Sequence, residues 1–209
     1  MKTVIVIGAG ASGLMAAIAA AKQGALVTIL EGMDRPGKKI LVSGNGRCNL
    51  TNLDPELPGR YRSSDPDELI RFSDRLFSGF SVDNTLDFFR DCGLLTTERE
   101  GYVYPYSNQA ASVLDVLLIQ VRKHRIRLKL SEKVRKIEKC VDNWAVFTDT
   151  WHYTCDGVIL CCGSKAAPVT GSDGSGYQLA ASLGHTVLPV LPALTALRTK
   201  DPLAAKESP

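Results

Sequence analysis

Residues 3–31 read TVIVIGAGASGLMAAIAAAKQGALVTILE, and this stretch decides the fold. The run "TVIVI" (3–7) is short, apolar and rich in β-branched residues, the pattern of a strand covered on both faces. Residues 11–23 are alanine-rich with helical periodicity and close on Gly24. "LVTIL" (26–30) is a second strand. Strand, glycine turn, helix and strand make a βαβ unit. The turn, Gly8-Ala9-Gly10-Ala11-Ser12-Gly13, is a GxGxxG, and Glu31 stands 18 residues beyond Gly13 at the end of the second strand.

That spacing has a physical reading. Gly8 permits the tight turn and Gly10 lets a pyrophosphate approach the backbone. Gly13, with Ala17 one turn on, lets the helix lie close on the strand. The free N–H groups of Ala11 and Ser12 at the helix start meet the phosphates. A carboxylate at Glu31 accepts from a ribose 2′-hydroxyl and repels a 2′-phosphate, which favours FAD or NAD over NADP. A βαβ unit that binds nothing is the plain alternative, with water satisfying those N–H groups.

Downstream, residues 31–62 are loop-like. Arg35, Lys38, Lys39 and Arg47 alternate with Gly37, Gly44 and Gly46, and Asp34 is the only acid in residues 32–53. Glycines expose successive amides, which form anion-binding concavities. The segment "SGNGRCNLTN" (43–52) is therefore expected to face phosphate or the electron-rich edge of a flavin ring. Its alternative is a solvated basic loop.

Composition excludes several classes. With 44% hydrophobic residues and a net charge of +3 in 209 residues, the chain holds a proper core and has no charge signature for nucleic acid. Cysteines 48, 92, 140, 155, 161 and 162 show no CxxC and no regular spacing, which predicts reduced thiols and a cytoplasmic location. Val4–Ala21 is uncharged and long enough to suggest a signal peptide or membrane span, but its three glycines and two periodicities argue against both. The sequon Asn49-Leu50-Thr51 is incidental in such a chain. His124, His152 and His185 show no partner pattern, and no metal site is expected.

Further along, Asp65 caps a helix to about Phe77, and Ser81 caps another that Gly93 stops. "GYVYPYS" is extended, and Ser107 is expected to cap a well-buried helix through "NQAASVLDVLLIQVRKH". Short strands near 126–130, 133–139, 143–148 and 151–155 read as an antiparallel meander ahead of the buried strand "GVILCCG" (157–163). "GSDGSG" (171–176) then opens a last helix, whose N–H groups are candidates to face flavin or substrate.

Taken in order and spacing, "GAGASGLMAA", "E…GKKILVSGNGRCNLTN", "YVYPYSNQAASVLDVLL", "GVILCCG" and "GSDGSGYQLAASLGHTV…PAL" resemble the BaiN/YhiN-type family of bacterial NAD(P)/FAD-dependent oxidoreductases, also called aminoacetone-oxidase-type flavoproteins. The resemblance runs from Lys2 to about Leu197, and its most specific element is "SGNGRCNLTN". It implies an α/β fold: a Rossmann-like FAD-binding domain of the two-dinucleotide-binding flavoprotein type, with an antiparallel β-meander, over residues 1–190. Residues 191–209 would be a linker into an inserted domain, leaving the flavin domain incomplete at the C-terminus.

By the same resemblance, Gly8, Gly10, Ala11, Ser12, Gly13 and Glu31 hold the ADP half of FAD. Lys38, Lys39, Asn45, Gly46, Arg47, Cys48 and Asn49 approach its phosphates and ring. Val134 contacts adenine through its backbone. Cys162 and Gly163 end a strand that reads Ala-Thr-Gly-Gly in such folds, and here Cys161-Cys162-Gly163-Ser164 departs from that pattern without losing backbone contact. Cys48 has no second cysteine about five residues away, so a disulfide relay is not expected and a packing role is.

The expected activity is that of an FAD-dependent oxidoreductase: NAD(P)H, docking transiently, reduces the bound FAD, which passes electrons to an organic small molecule or oxygen. Arg47 and the lysines would stabilise the anionic reduced ring. No acid, base or nucleophile is singled out. The alternatives are a non-catalytic flavin-binding module or remnant, and a nicotinamide-only Rossmann dehydrogenase, which gives residues 37–52 no role. No membrane or nucleic-acid partner is expected, and the sequence says nothing of oligomeric state.

Overall fold

A computed structural model describes residues 1–54, 60, 61, 63 and 65–192. In chain order the elements are β1 (Thr3–Ile7), α1 (Ala11–Lys22), β2 (Leu26–Leu30), α2 (Lys38–Val42), β3 (Thr51–Asn52), α3 (Pro66–Gly79), α4 (Val82–Asp91), β4 (Thr96–Arg99), β5 (Tyr102–Pro105) and α5 (Ala110–Lys123). They continue with β6 (Arg127–Lys129), β7 (Val134–Lys139), β8 (Trp144–Thr148), β9 (His152–Cys155), β10 (Gly157–Leu160) and α6 (Ser175–Ser182).

The central sheet is parallel, in the order β10-β1-β2-β6. Ile7, the last residue of β1, is level with Leu30 on one side and Leu160 on the other, so three strand ends meet at the glycine turn. Strand residues alternate faces. Val6, Val27 and Ile29 point toward α1 and α5, joining Leu14, Ala17, Val113 and Leu117 in one core. Ile5, Ile7 and Leu30 point the other way, into a second core with Val134, Ile137 and Val146 of the meander β7-β8-β9 and Leu179 of α6. The result is three layers: helices, parallel sheet, meander. The near-continuous hydrophobicity of β1 follows from this double covering.

The opening βαβ unit, both capped helices and the meander match the sequence reading. Asp65 accepts from the Glu68 N–H, and Ser81 forms a reciprocal capping box with Asn84. Four features differ. β6 is not part of the meander; it joins the parallel sheet beside β2, a crossover that α5 makes possible. Ser107 does not cap α5: Asn108 takes φ 53°, Gln109 becomes the cap, and the Ser107 hydroxyl meets that of Ser112 at 2.7 Å. α5 buries one side only, since Ile119 is exposed. The polar "TTER" forms β4, an edge strand held by a two-residue turn at Glu100-Gly101, both at positive φ.

Candidate dinucleotide-binding groove

The β1–α1 turn is built by close approach. A Cβ on Gly8 would overlap the carbonyl of Cys161, and its φ of 104° is one that L-residues rarely adopt. Its N–H donates to the Leu30 carbonyl at 2.8 Å, locking the turn to the end of β2. A Cβ on Gly13 would overlap the Gly8 carbonyl, so this residue sets how closely α1 lies on the sheet. Gly10 is different. A Cβ there would meet nothing within 4 Å, and the residue borders a cavity of about 900 Å³. α1 begins at Ala11 with no side-chain cap and no acid in its first turn, so its N-terminal amides and dipole are left facing that cavity.

Glu31 forms the wall opposite. Its Oε2 accepts from the Ala9 N–H at 2.6 Å and its Oε1 from the Met33 N–H at 2.9 Å. The two bonds fix the carboxylate while leaving each oxygen a further lone pair for a ribose hydroxyl. Beyond it, the N–H of Glu132 donates to the Glu31 carbonyl, which brings Glu132, Lys133 and Val134 to the cavity. β7 is the edge strand of its sheet, and the pairing register shifts between Val134 and Lys136. The Glu132 carboxyl is held below the usual range, first by the Thr148 hydroxyl and also by those of Thr150 and Tyr153.

On the near bank stand Arg35, Lys38 and Lys39. Lys38 pairs with Asp34 at 2.6 Å, which lowers the Asp34 carboxyl. Lys39 donates instead to the hydroxyl of Ser172, also at 2.6 Å. Cys162 and Gly163 close the floor. The Cys161 N–H donates to the Ile7 carbonyl, and burial pushes the Cys162 thiol up to about 11. Burial likewise raises the Cys48 thiol, whose side chain packs in the helix-side core.

Of the residues picked out in the sequence, Gly8, Gly10, Ala11, Ser12, Glu31, Lys38, Lys39, Cys48, Asn49, Val134, Cys162 and Gly163 border this one cavity. Gly13 lies beneath it. Asn45, Gly46 and Arg47 are not on its wall. Left-handed backbone at Gly44, Asn45 and Gly46 turns that loop outward, and the Arg47 guanidinium lies 5.3 Å from the Tyr104 ring centroid. Arg47 thus lies beside Tyr104 and off the cavity wall. The stretch expected to be loop also contains the short helix α2, which carries both lysines inward.

Sequence reasoning missed Ser172 and Asp173 as side chains, although "GSDGSG" was visible as a helix start. It also missed Phe80, Phe88 and Phe89, which make the far end of the cavity apolar. Phenylalanines on an amphipathic helix carry no signal that separates a cavity wall from core. Among the described residues there is no acidic, histidine or cysteine cluster able to hold a metal ion, and no helix long and apolar enough to cross a membrane.

The HI0933-like protein Rossmann domain matches residues 2–199, nearly the whole sequence. The chain belongs to the HI0933-like Rossmann family. Within the curated relatives, the 3-dehydro-bile acid delta(4,6)-reductase of Clostridium scindens is 43% identical over 99% of this chain and 50% of its own length. The ribosomal RNA dihydrouridine synthase of Escherichia coli is 28% identical over 95% of the chain and 48% of its own. The chain thus spans about half the length of the curated relatives it matches. In solved structures, the fold is shared with the 3-ketosteroid-delta4-(5alpha)-dehydrogenase of Rhodococcus jostii (TM-score 0.60, 16% identity, 88% of this chain and 54% of that one). It is also shared with THI4 of Thermovibrio ammonificans (TM-score 0.54, 14% identity, 88% and 64%). The family's Rossmann fold is accordingly the α/β fold read from residues 3–31.

Proposed function

We propose that this chain is the FAD-binding part of a flavin oxidoreductase, with FAD extended along the groove. Adenosine would lie between Glu31 and Val134, the pyrophosphate over Gly10 and the amides of Ala11 and Ser12, and the ring toward Asn49 and the phenylalanine end. The observation that carries this reading is the open face of Gly10: in a turn whose other two motif glycines are packed against backbone, it alone leaves room for a ligand beside an uncapped helix start. A volume of about 900 Å³ lies within the range of cofactor sites. The groove continues past the phosphate position to Lys39, Asn49 and the aromatic end, which suits FAD better than a nicotinamide-only dehydrogenase.

Bound FAD supplies hydride chemistry. The chain's own residues bind and orient: Glu31 fixes the ribose, Lys39 and the α1 amides balance the phosphates, and the phenylalanines exclude water from the ring end. Both curated relatives carry names that describe saturation of a carbon–carbon double bond. We infer the same reaction type here, in a small organic acceptor. The sequence has a single GxGxxG, so NAD(P)H would dock transiently against the flavin rather than in a site of its own. Six free cysteines, five of them (Cys48, Cys92, Cys155, Cys161 and Cys162) with thiols raised chiefly by burial, support a reducing, cytoplasmic setting.

The test is colour and its loss. Purified chain loaded with FAD should be yellow at one flavin per chain, and anaerobic NADH or NADPH should bleach it. Yellow protein that no nicotinamide bleaches would reduce the chain to a passive flavin binder.

A further inference from the structure

Residues 163–175 leave the end of β10, cross the groove and return to α6. This loop is shaped by glycines in close contact. A Cβ on Gly163 would overlap the Ser172 hydroxyl, and one on Gly171 would lie 2.9 Å from the Met33 side chain. Gly174, at φ 83°, packs against Lys165. Ala167 and Ser172 form an antiparallel bridge across the loop, and Thr170 donates back to the Ala167 carbonyl through both its N–H and its hydroxyl. The loop is therefore a compact, internally bonded body. Pro168, Thr170, Gly171, Ser172 and Asp173 all border the cavity.

Two polar ties hold it, one to each bank. On the phosphate side, Ser172 is 5% exposed and accepts from Lys39. Lys39 belongs to α2, 133 residues away in sequence. Lys39 as a residue is half-buried and the partner of its ammonium is a neutral hydroxyl, so the charge stays available to an anion. On the adenosine side, Asp173 forms an ion pair with Lys133 at the start of β7, and its other oxygen accepts from the Ser175 N–H, which couples the tie to the start of α6.

We propose that the 163–175 loop is a latch over the dinucleotide groove, closed at its inner end by Lys39 and Ser172 gripping the bound phosphates and at its outer end by the Lys133–Asp173 pair. This rests on the FAD reading above and adds to it a named exit path: the cofactor leaves only when the loop lifts. When phosphate is bound, Lys39 bridges it and Ser172, and the hydroxyl is free to donate to a phosphate oxygen. Opening breaks both ties, so release should depend on ionic strength through the partly exposed outer pair.

The experiment loads the chain with FAD, dilutes it rapidly and follows release by the gain of flavin fluorescence at low and high salt. Lys133→Gln should release FAD roughly 1.5- to 5-fold faster, the range for a partly exposed ion pair, and should lose most of the salt dependence. Lys133→Arg should restore both. Ser172→Ala should speed release by a similar factor with salt dependence intact. Should Lys133→Gln fail to fold, Asp173→Asn keeps an acceptor for the Ser175 N–H and tests the same tie. Wild-type chain that loads FAD, with variants releasing at the wild-type rate, would overturn the latch alone. Wild-type chain that loads no FAD would overturn the cofactor reading and the latch together.

Discussion

Replacing Gly10 by alanine separates binding from folding. Gly10 sits at φ −81° and ψ −171°, a conformation alanine adopts freely, and its Cβ would project into open space. The loss of unfolded-state freedom favours the variant by about 0.4–1 kcal/mol. Against this, alanine is a poorer helix N-cap than glycine by a comparable amount, of order 1 kcal/mol. The two effects nearly cancel, so the unliganded melting temperature should move by no more than about 2–4 °C. The new methyl, however, occupies the place assigned to the pyrophosphate and displaces it from the α1 amides. Losing one or two charge-assisted hydrogen bonds, at about 1.5–3 kcal/mol each, weakens FAD by roughly 10- to 100-fold or more.

At a FAD concentration of 100 times the wild-type dissociation constant, ligand stabilisation is about 2.7 kcal/mol. After a 100-fold loss of affinity it falls to about 0.4 kcal/mol at the same concentration. A thermal shift of several degrees in wild type should thus shrink to about one degree in Gly10→Ala. Gly13→Ala is the control of opposite sign. Its methyl would overlap the Gly8 carbonyl, so α1 must move and the fold itself should lose about 1–3 kcal/mol. If Gly10→Ala keeps the full FAD-induced shift, the pyrophosphate does not lie over this turn.

Other outcomes follow from packing and titration. Leu14 is fully buried between α1 and the sheet, and Leu14→Ala should cost about 2–5 kcal/mol in denaturant unfolding; less than 1 would mean the helix-side core is misplaced. Under a thiol reagent at neutral pH, exposed Cys140 should react promptly while buried Cys48 and Cys155, with raised thiols, remain protected until unfolding. Lys133 holds the Asp173 carboxyl far below its usual value. A carboxyl lowered by folding contributes stability above its unfolded value near pH 4, and that contribution fades as pH falls through the folded one. Asp173→Asn should therefore be less stable than wild type at pH 7, with the gap narrowing toward pH 2; a gap that widens on acidification would contradict the pairing.

The parts of the fold that were legible in the sequence are those where local chemistry and tertiary role agree. In residues 3–31 the periodicity, the glycines and Glu31 all state one thing, and each lands where expected. The helix starts at Asp65 and Ser81 were legible because their side chains cap their own turns. β6 was not, because a three-residue strand carries no sign of parallel or antiparallel pairing; only the position of α5 decides it. That Arg47 lies off the cavity wall was illegible for a related reason. Its charge and glycine neighbours fit an anion site, but successive left-handed residues set the direction of the loop, and a nearby tyrosine took the guanidinium. Ser172 and Asp173 matter through partners more than 30 residues away, which no local pattern reveals.

The most direct test is amide hydrogen exchange with and without FAD. Slowed exchange at residues 8–13, at Val134 and across the 163–175 loop, in a yellow complex of one flavin per chain, is the predicted result. A chain that stays colourless in excess FAD, with unchanged exchange at all three places, would contradict the account at its root.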